Sequence, residues 1–231
     1  MLNLLYEAER SWWYRGRAAV VSSVLGRFEK GARVGSTLDF GAGFGGMLDT
    51  LKQFSREVKA FEPDTLTHKA LFERGYTKIF NTPDEALAES YDLIALFDVL
   101  EHIEDDQVFL IRVQQALASD GRLLITVPAY QWLWSEHDTA NHHFKRYTKS
   151  SLVQTLATAG YQIEYAGYWN MFAFIPAALT RLIGLSGGDA LLLPKPLNAI
   201  LLFFVRVEAF CVRFVSLPFG LSVIVYATKK D

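Results

Sequence analysis

Cysteine is nearly absent from this 231-residue chain: its one thiol, Cys211, sits among apolar neighbours and has no partner in the sequence. An internal disulfide framework and a cysteine-rich zinc site are excluded, and a reducing, cytoplasmic setting is the expectation. Excess charge of either sign is missing as well. Against 23 basic side chains stand 25 acidic ones, so nothing draws the whole chain toward nucleic acid, and no such partner is expected. The first ten residues lack a basic start followed by an apolar core, which argues against a secretory leader. Long apolar runs are lacking too. The longest uncharged stretches, 165–180 and 214–228, fall short of the ~18 residues of a spanning helix.

What is present is a globular composition, 51% hydrophobic and 21% charged, enough for one large domain with an insertion. Helical patterns over 2–10 and 17–28 flank an aromatic and basic break, Trp12-Trp13-Tyr14-Arg15-Gly16-Arg17, and residues 1–34 are expected to form an N-terminal cap. The main domain, 35–231, alternates strand and helix. Strands are expected at 37–40, 58–61, 77–80, 91–97 and 122–127, with helices at 47–54, 65–74, 105–117 and 150–159. The uniformly apolar run 91–97 suits the middle of a parallel sheet covered on both faces. Pro83 opens a short helix. Residues 129–147 read as a long loop, a length that is usually functional. Strands at 161–168 and 221–228 are expected to pair, with the apolar helical segment 170–219 inserted between them.

The cluster Leu38-Asp39-Phe40-Gly41-Ala42-Gly43-Phe44-Gly45-Gly46 lies where a strand meets a helix, and glycines there let backbone approach a ligand closely. Gly41, Gly43 and Gly46 satisfy G-x-G-x-x-G, a pattern many unrelated turns share. Asp39 sharpens it. A carboxylate just before the glycines is unfavourable for a pyrophosphate and favourable for a cationic ligand. Glu62, 23 residues on at the next strand's tip, is placed to accept from both hydroxyls of a ribose.

With these residues the chain resembles the class I S-adenosylmethionine-dependent methyltransferases, of the type 11 kind. The resemblance rests on Asp39-Phe40-Gly41-Ala42-Gly43-Phe44-Gly45, on Phe61-Glu62-Pro63, and on Phe97-Asp98-Val99-Leu100-Glu101-His102, and it extends over roughly 36–170. It implies a Rossmann-like seven-stranded α/β sheet, mostly parallel with strand 7 antiparallel, and S-adenosylmethionine as cofactor. It further implies that Asp39, Gly41, Ala42 and Gly43 face the methionine part and that Glu62, with Pro63, holds the ribose. Asn81 and Thr82 would lie near the adenine, and Phe97, Asp98, Val99 and His102 under the cofactor. Glu101 and His102 have an alternative role as caps of the following helix. The aromatic cap also looks like a segment of some bacterial members, in which Arg17 would pair with the methionine carboxylate and Trp13 would close over the cofactor. An aromatic anchor on the sheet is the alternative.

Methyl transfer to a hydroxyl needs a base. His143, then Asp138, are the candidates, and Trp134, His137, His142, Arg146 and Tyr147 are expected around the acceptor. The histidine spacing matches no standard metal site, and no metal is expected. The loop 129–147 is similar to that of members associated with glycan or lipid-head-group pathways. The expected acceptor is a small molecule or a lipid-linked, glycan-type molecule, methylated at oxygen. In the apolar insertion Arg206 and Arg213 share a helix face and Glu208 points away. A helical lid, a homodimer face and peripheral contact with the inner face of a membrane remain alternatives. A nicotinamide-dependent oxidoreductase and a catalytically silent scaffold are the competing functions.

Overall fold

The computed structural model describes residues 10–29, 31, 33–182 and 193–230. The helix expected over 2–10 lies almost wholly outside them. In order come α1 (Trp12–Phe28), β1 (Val34–Phe40), α2 (Leu48–Phe54), β2 (Ser55–Phe61), α3 (His68–Arg74), β3 (Ile79–Phe80), α4 (Pro83–Leu87), β4 (Tyr91–Phe97), α5 (Asp106–Gln115) and β5 (Leu117–Pro128). There follow α6 (Glu136–Ala140), α7 (Lys149–Thr158), β6 (Tyr161–Trp169), α8 (Met171–Leu182), α9 (Lys195–Val212) and β7 (Ser222–Lys229).

The strands form one seven-stranded sheet in the order β3-β2-β1-β4-β5-β7-β6. β1 to β5 pair in parallel, and β7 runs antiparallel between β5 and β6. The expected sheet and the pairing of the last two strands are thus both present. Period-two alternation divides the core into two layers. Ile94 and Leu96 of β4 pack with Leu110 and Val113 of α5 and Leu152 and Leu156 of α7. Leu93, Ala95 and Phe97 face the other way, with Val20 and Val24 of α1, Leu51 of α2 and Val205 of α9. Both faces of the sheet are covered, which is why β4 is apolar without a break from Leu93 to Phe97.

Three expectations need correction. The aromatic segment is no break: α1 starts at Trp12, with the Ser11 hydroxyl accepting from the Tyr14 amide 3.5 Å away. Neither Trp nor Arg stops a helix, and Gly16 is tolerated because its bare backbone packs against Val205. Residues 129–147 hold a short 3-10 turn, Gln131–Leu133, and α6, whose start is fixed by a Ser135–Asp138 capping box. The helix expected over 105–117 ends at Gln115, and β5 begins at Leu117, five residues before the strand expected at 122–127.

The cap is tied to the sheet at its far end, where Tyr226 of β7 donates to Glu29 Oε1 over 2.5 Å and stacks on Phe28. α9 buries Leu202, Val205, Ala209 and Val212 and exposes Ile200, Phe203, Val207 and Phe210, and Phe214 is exposed just past its end. No helix among the described residues is long and apolar enough to cross a membrane.

Candidate active site

At the carboxyl end of β1 the chain turns through Gly41, Gly43 and Gly45, with φ of 80°, 56° and 79°. The third left-handed residue is therefore Gly45, not the Gly46 of the spacing motif. A Cβ on Gly41 would lie 2.7 Å from Cγ2 of Val99, whereas one on Gly43 would meet nothing within 4 Å. The turn is packed against the exit of β4 on one side and open at Gly43, with Ala42 between them.

Two carboxylates border it. Asp39 is buried and accepts from the Tyr76 hydroxyl over 2.5 Å. Burial pushes its carboxyl up to about 6; the Tyr76 bond and Arg17 oppose the rise and Glu62 adds to it. Glu62, at the tip of β2, accepts from the Gly43 amide at 2.7 Å and the Asp64 amide at 3.0 Å. Pro63 beside it is exposed, as are Asn81 and Thr82. The Thr82 hydroxyl caps α4 by accepting from the Glu85 amide.

From the opposite side α1 lays Arg17 across the end of β4. Its Nη1 donates to Asp98 Oδ2 over 2.7 Å, and Thr126 donates to Asp98 Oδ1 over 3.1 Å. The rings of Tyr14 and Phe97 flank the guanidinium at 5.0 and 5.9 Å. Trp13 packs on Trp169, with ring centroids 5.0 Å apart. Arg17, expected to serve a methionine carboxylate, is thus already paired with a protein carboxylate, while its buried Nε has no hydrogen-bond partner.

The 3-10 turn Leu100–His102 follows. Neither Glu101 nor His102 caps α5; Asp105 does, accepting from the Val108 amide. Glu101 is 1% exposed, and its carbonyl accepts from the Phe144 amide over 2.7 Å, holding the 136–147 segment over the end of β4. Burial and the charge of Asp98 push the Glu101 carboxyl well above the ordinary range, and burial and His143 push the His102 imidazole down.

In that segment Asp138 is wholly buried and fully engaged. His143 Nδ1 lies 2.9 Å from its Oδ1, Arg146 donates to both oxygens at 2.7 and 2.8 Å, and the Ser135 amide and hydroxyl donate at 2.8 and 3.0 Å. Burial works to raise the Asp138 carboxyl, but the bonds from His143 and Arg146 outweigh it and hold the group well below its usual range. The His143 ring meets His102 edge-on at 4.5 Å, with His137 at 6.3 Å and Trp134 at 6.5 Å. His142 is exposed at a left-handed bend. Tyr147 stands apart in the core, donating to Asp106 Oδ2 over 2.7 Å. Tyr76 and Thr126 escaped sequence reasoning because tyrosine and threonine in a fold of this kind carry no local signal.

Residues 12–166, well over half of the chain, match the model of a methyltransferase-domain family. The chain belongs to that family. A probable S-adenosylmethionine-dependent methyltransferase of Mycolicibacterium smegmatis is 27% identical over 188 residues, which cover 79% of this chain and 70% of that protein. In fold, the methyltransferase is similar to the Burkholderia thailandensis 1,6-didemethyltoxoflavin-N1-methyltransferase with 1,6-didemethyltoxoflavin and S-adenosylhomocysteine bound. The TM-score is 0.59 at 18% identity, covering 95% of this chain and 81% of that one. It is also similar to the plantazolicin methyltransferase BpumL in complex with S-adenosylhomocysteine, with a TM-score of 0.61 at 12% identity and coverage of 97% and 96%. The enzyme is a class I S-adenosylmethionine-dependent methyltransferase, and the nicotinamide alternative is set aside. Its residues fit the cofactor: a glycine turn with one open side, a buried carboxylate behind it, and a second carboxylate at the tip of the neighbouring strand.

Proposed function

We propose that the methyltransferase acts at oxygen on a small, lipid-linked acceptor of glycan type, with His143 taking the hydroxyl proton. S-adenosylmethionine supplies the electrophilic methyl group. The glycine turn and Asp39 would face its methionine part, Glu62 and Pro63 the ribose, Asn81 and Thr82 the adenine edge, and Phe97, Asp98, Val99 and His102 the underside. Trp13 would close over it. Arg17 keeps Asp98 in place and offers its unpartnered Nε to the methionine carboxylate.

The observation that carries the base assignment is the contact between His143 and Asp138. A buried carboxylate fixed by Arg146 and Ser135 receives Nδ1–H and so leaves Nε2 as the basic nitrogen. Asp138 then acts through His143 rather than as a second base, and Trp134, His137, His142 and Arg146 shape the acceptor side. The exposed apolar row of α9, flanked by Arg206 and Arg213, supports a greasy acceptor and contact with an anionic membrane face of the cytoplasm. Residues 1–34 then act as a cap and 170–219 as an insertion within the domain 35–231.

Methyl-labelled S-adenosylmethionine, incubated with the enzyme and a total cell extract, tests this reading. Label is expected in the organic phase and is expected to be lost with His143→Ala while adenosylhomocysteine binding persists. Label confined to the aqueous phase would refute the lipid-linked acceptor. Transfer undiminished in His143→Ala would refute the base.

A further inference from the structure

The chain places Glu101, His102 and His143 so that one donor atom of each lies within 4.8 Å of the others, two from the turn after β4 and one from the segment after α6. Among the described residues this is the one such group of three. Its distinguishing feature is Glu101. The side chain is 1% exposed and its Oε2 has no hydrogen-bond partner, a costly state for a buried carboxylate oxygen. His102 is exposed, which gives the cluster access to solvent.

The surroundings complete a pattern seen in metal sites. A ligating imidazole almost always gives its other ring N–H to a carboxylate, a backbone carbonyl or water, which fixes the ring and raises its basicity. His143 has that partner in Asp138 at 2.9 Å, and Asp138 is itself held by Arg146 and Ser135. Nε2 of His143 is the nitrogen left to ligate. Donors about 2 Å from a tetrahedral ion stand ~3.4 Å apart, so small side-chain rotations bring these three to bonding distance.

We propose that Glu101, His102 and His143 bind one divalent cation of the zinc class, with a coordination position left for the acceptor. Two imidazoles and one carboxylate favour such an ion over magnesium or calcium, whose preferred ligands are oxygens. This departs from the sequence reading, in which His137, His142 and His143 made no metal set; the ligands come instead from two separated segments. The use of the ion rests on the methyltransferase reading. A hydroxyl coordinated there loses its proton to solvent more readily, so that His143 is a ligand in the loaded enzyme and a base in the ion-free one.

The test is calorimetric titration of the chelator-treated full chain with Zn²⁺, alongside Co²⁺ titration followed by visible absorption. Expected are one equivalent bound and a tetrahedral cobalt band, with affinity falling at least tenfold in both Glu101→Gln and His102→Ala. Glu101→Gln is isosteric and His102 is exposed, so both variants should fold. Adenosylhomocysteine is titrated into the same stripped samples. Its retention there, with no metal uptake, overturns the cation site and leaves the methyltransferase reading standing. Uptake undiminished in the two variants overturns the site equally. Uptake as expected with no adenosylhomocysteine binding would instead support the ion site and count against the cofactor reading.

Discussion

The Tyr76 hydroxyl donates to Oδ2 of Asp39 over 2.5 Å, joining a residue just past α3 to the carboxylate beneath the glycine turn. Because burial lifts the Asp39 carboxyl to about 6, the group changes charge within an accessible range. Its folded value exceeds its unfolded one, so the native state holds the extra proton. The contribution to stability is full below about pH 4 and is lost as pH rises through about 6. Binding of a cation runs the other way. Affinity for S-adenosylmethionine should rise between pH 5 and 7, more than affinity for the uncharged-sulfur product. Calorimetry with both ligands checks this, and Asp39→Asn should flatten the difference.

Tyr76→Phe removes the bond that lowers the Asp39 carboxyl and should shift that affinity curve to higher pH. The stability loss should be about 1 kcal/mol, the usual net value of one hydrogen bond. Urea denaturation and the titration series together separate the two effects.

Arg17→Met leaves Asp98 with only Thr126 as a side-chain partner. Breaking a fully buried pair costs ~3–5 kcal/mol, but the Asp98 side chain retains 26% of its exposure, so a loss of about 1–3 kcal/mol is expected. Asp98→Asn, which keeps hydrogen-bonding capacity, should cost less. Thermal unfolding of the two variants measures the order.

Gly41→Ala and Gly43→Ala should separate fold from binding. Both alanines meet a positive φ, worth about 1–2 kcal/mol, but the Gly41 methyl also collides with Val99 while the Gly43 methyl projects into open space. Gly41→Ala is therefore expected to be the less stable protein. Gly43→Ala should remain folded and lose adenosylhomocysteine affinity.

Glu208 of α9 reaches across to accept from the Phe172 amide over 2.9 Å, satisfying the first turn of α8, and is 1% exposed. Glu208→Ala should loosen α8 and cost about 1–3 kcal/mol, with hydrogen exchange rising first in α8. Glu208→Gln should restore most of the protection.

The glycine turn, the carboxylate at the β2 tip and the strand alternation were legible because each depends on residues close in sequence. Pro83 opens α4 for the same reason. What escaped were relationships across the chain. Nothing near Glu101 tells that Phe144 returns to its carbonyl, and nothing near Arg17 tells that Asp98 awaits it. In the aromatic segment the density of tryptophan points to a break, while the capping serine just before it marks a helix start. Ser135 and Asp138 carry a local capping signal that marks the start of α6.

Gly16 has further significance as a mechanical joint. With no side chain between α1 and Val205, the two helices touch backbone to methyl, and a Cβ there would sit 2.6 Å from that residue. The Trp12 amide also donates to Asn198 over 2.7 Å, so the pair is fastened near one end. Any surface that pulls on the outward phenylalanines of α9 therefore drags the helix bearing Arg17. The exposed face of α9 and the end of β4 are thus joined through one helix, by way of the bond from Arg17 to Asp98.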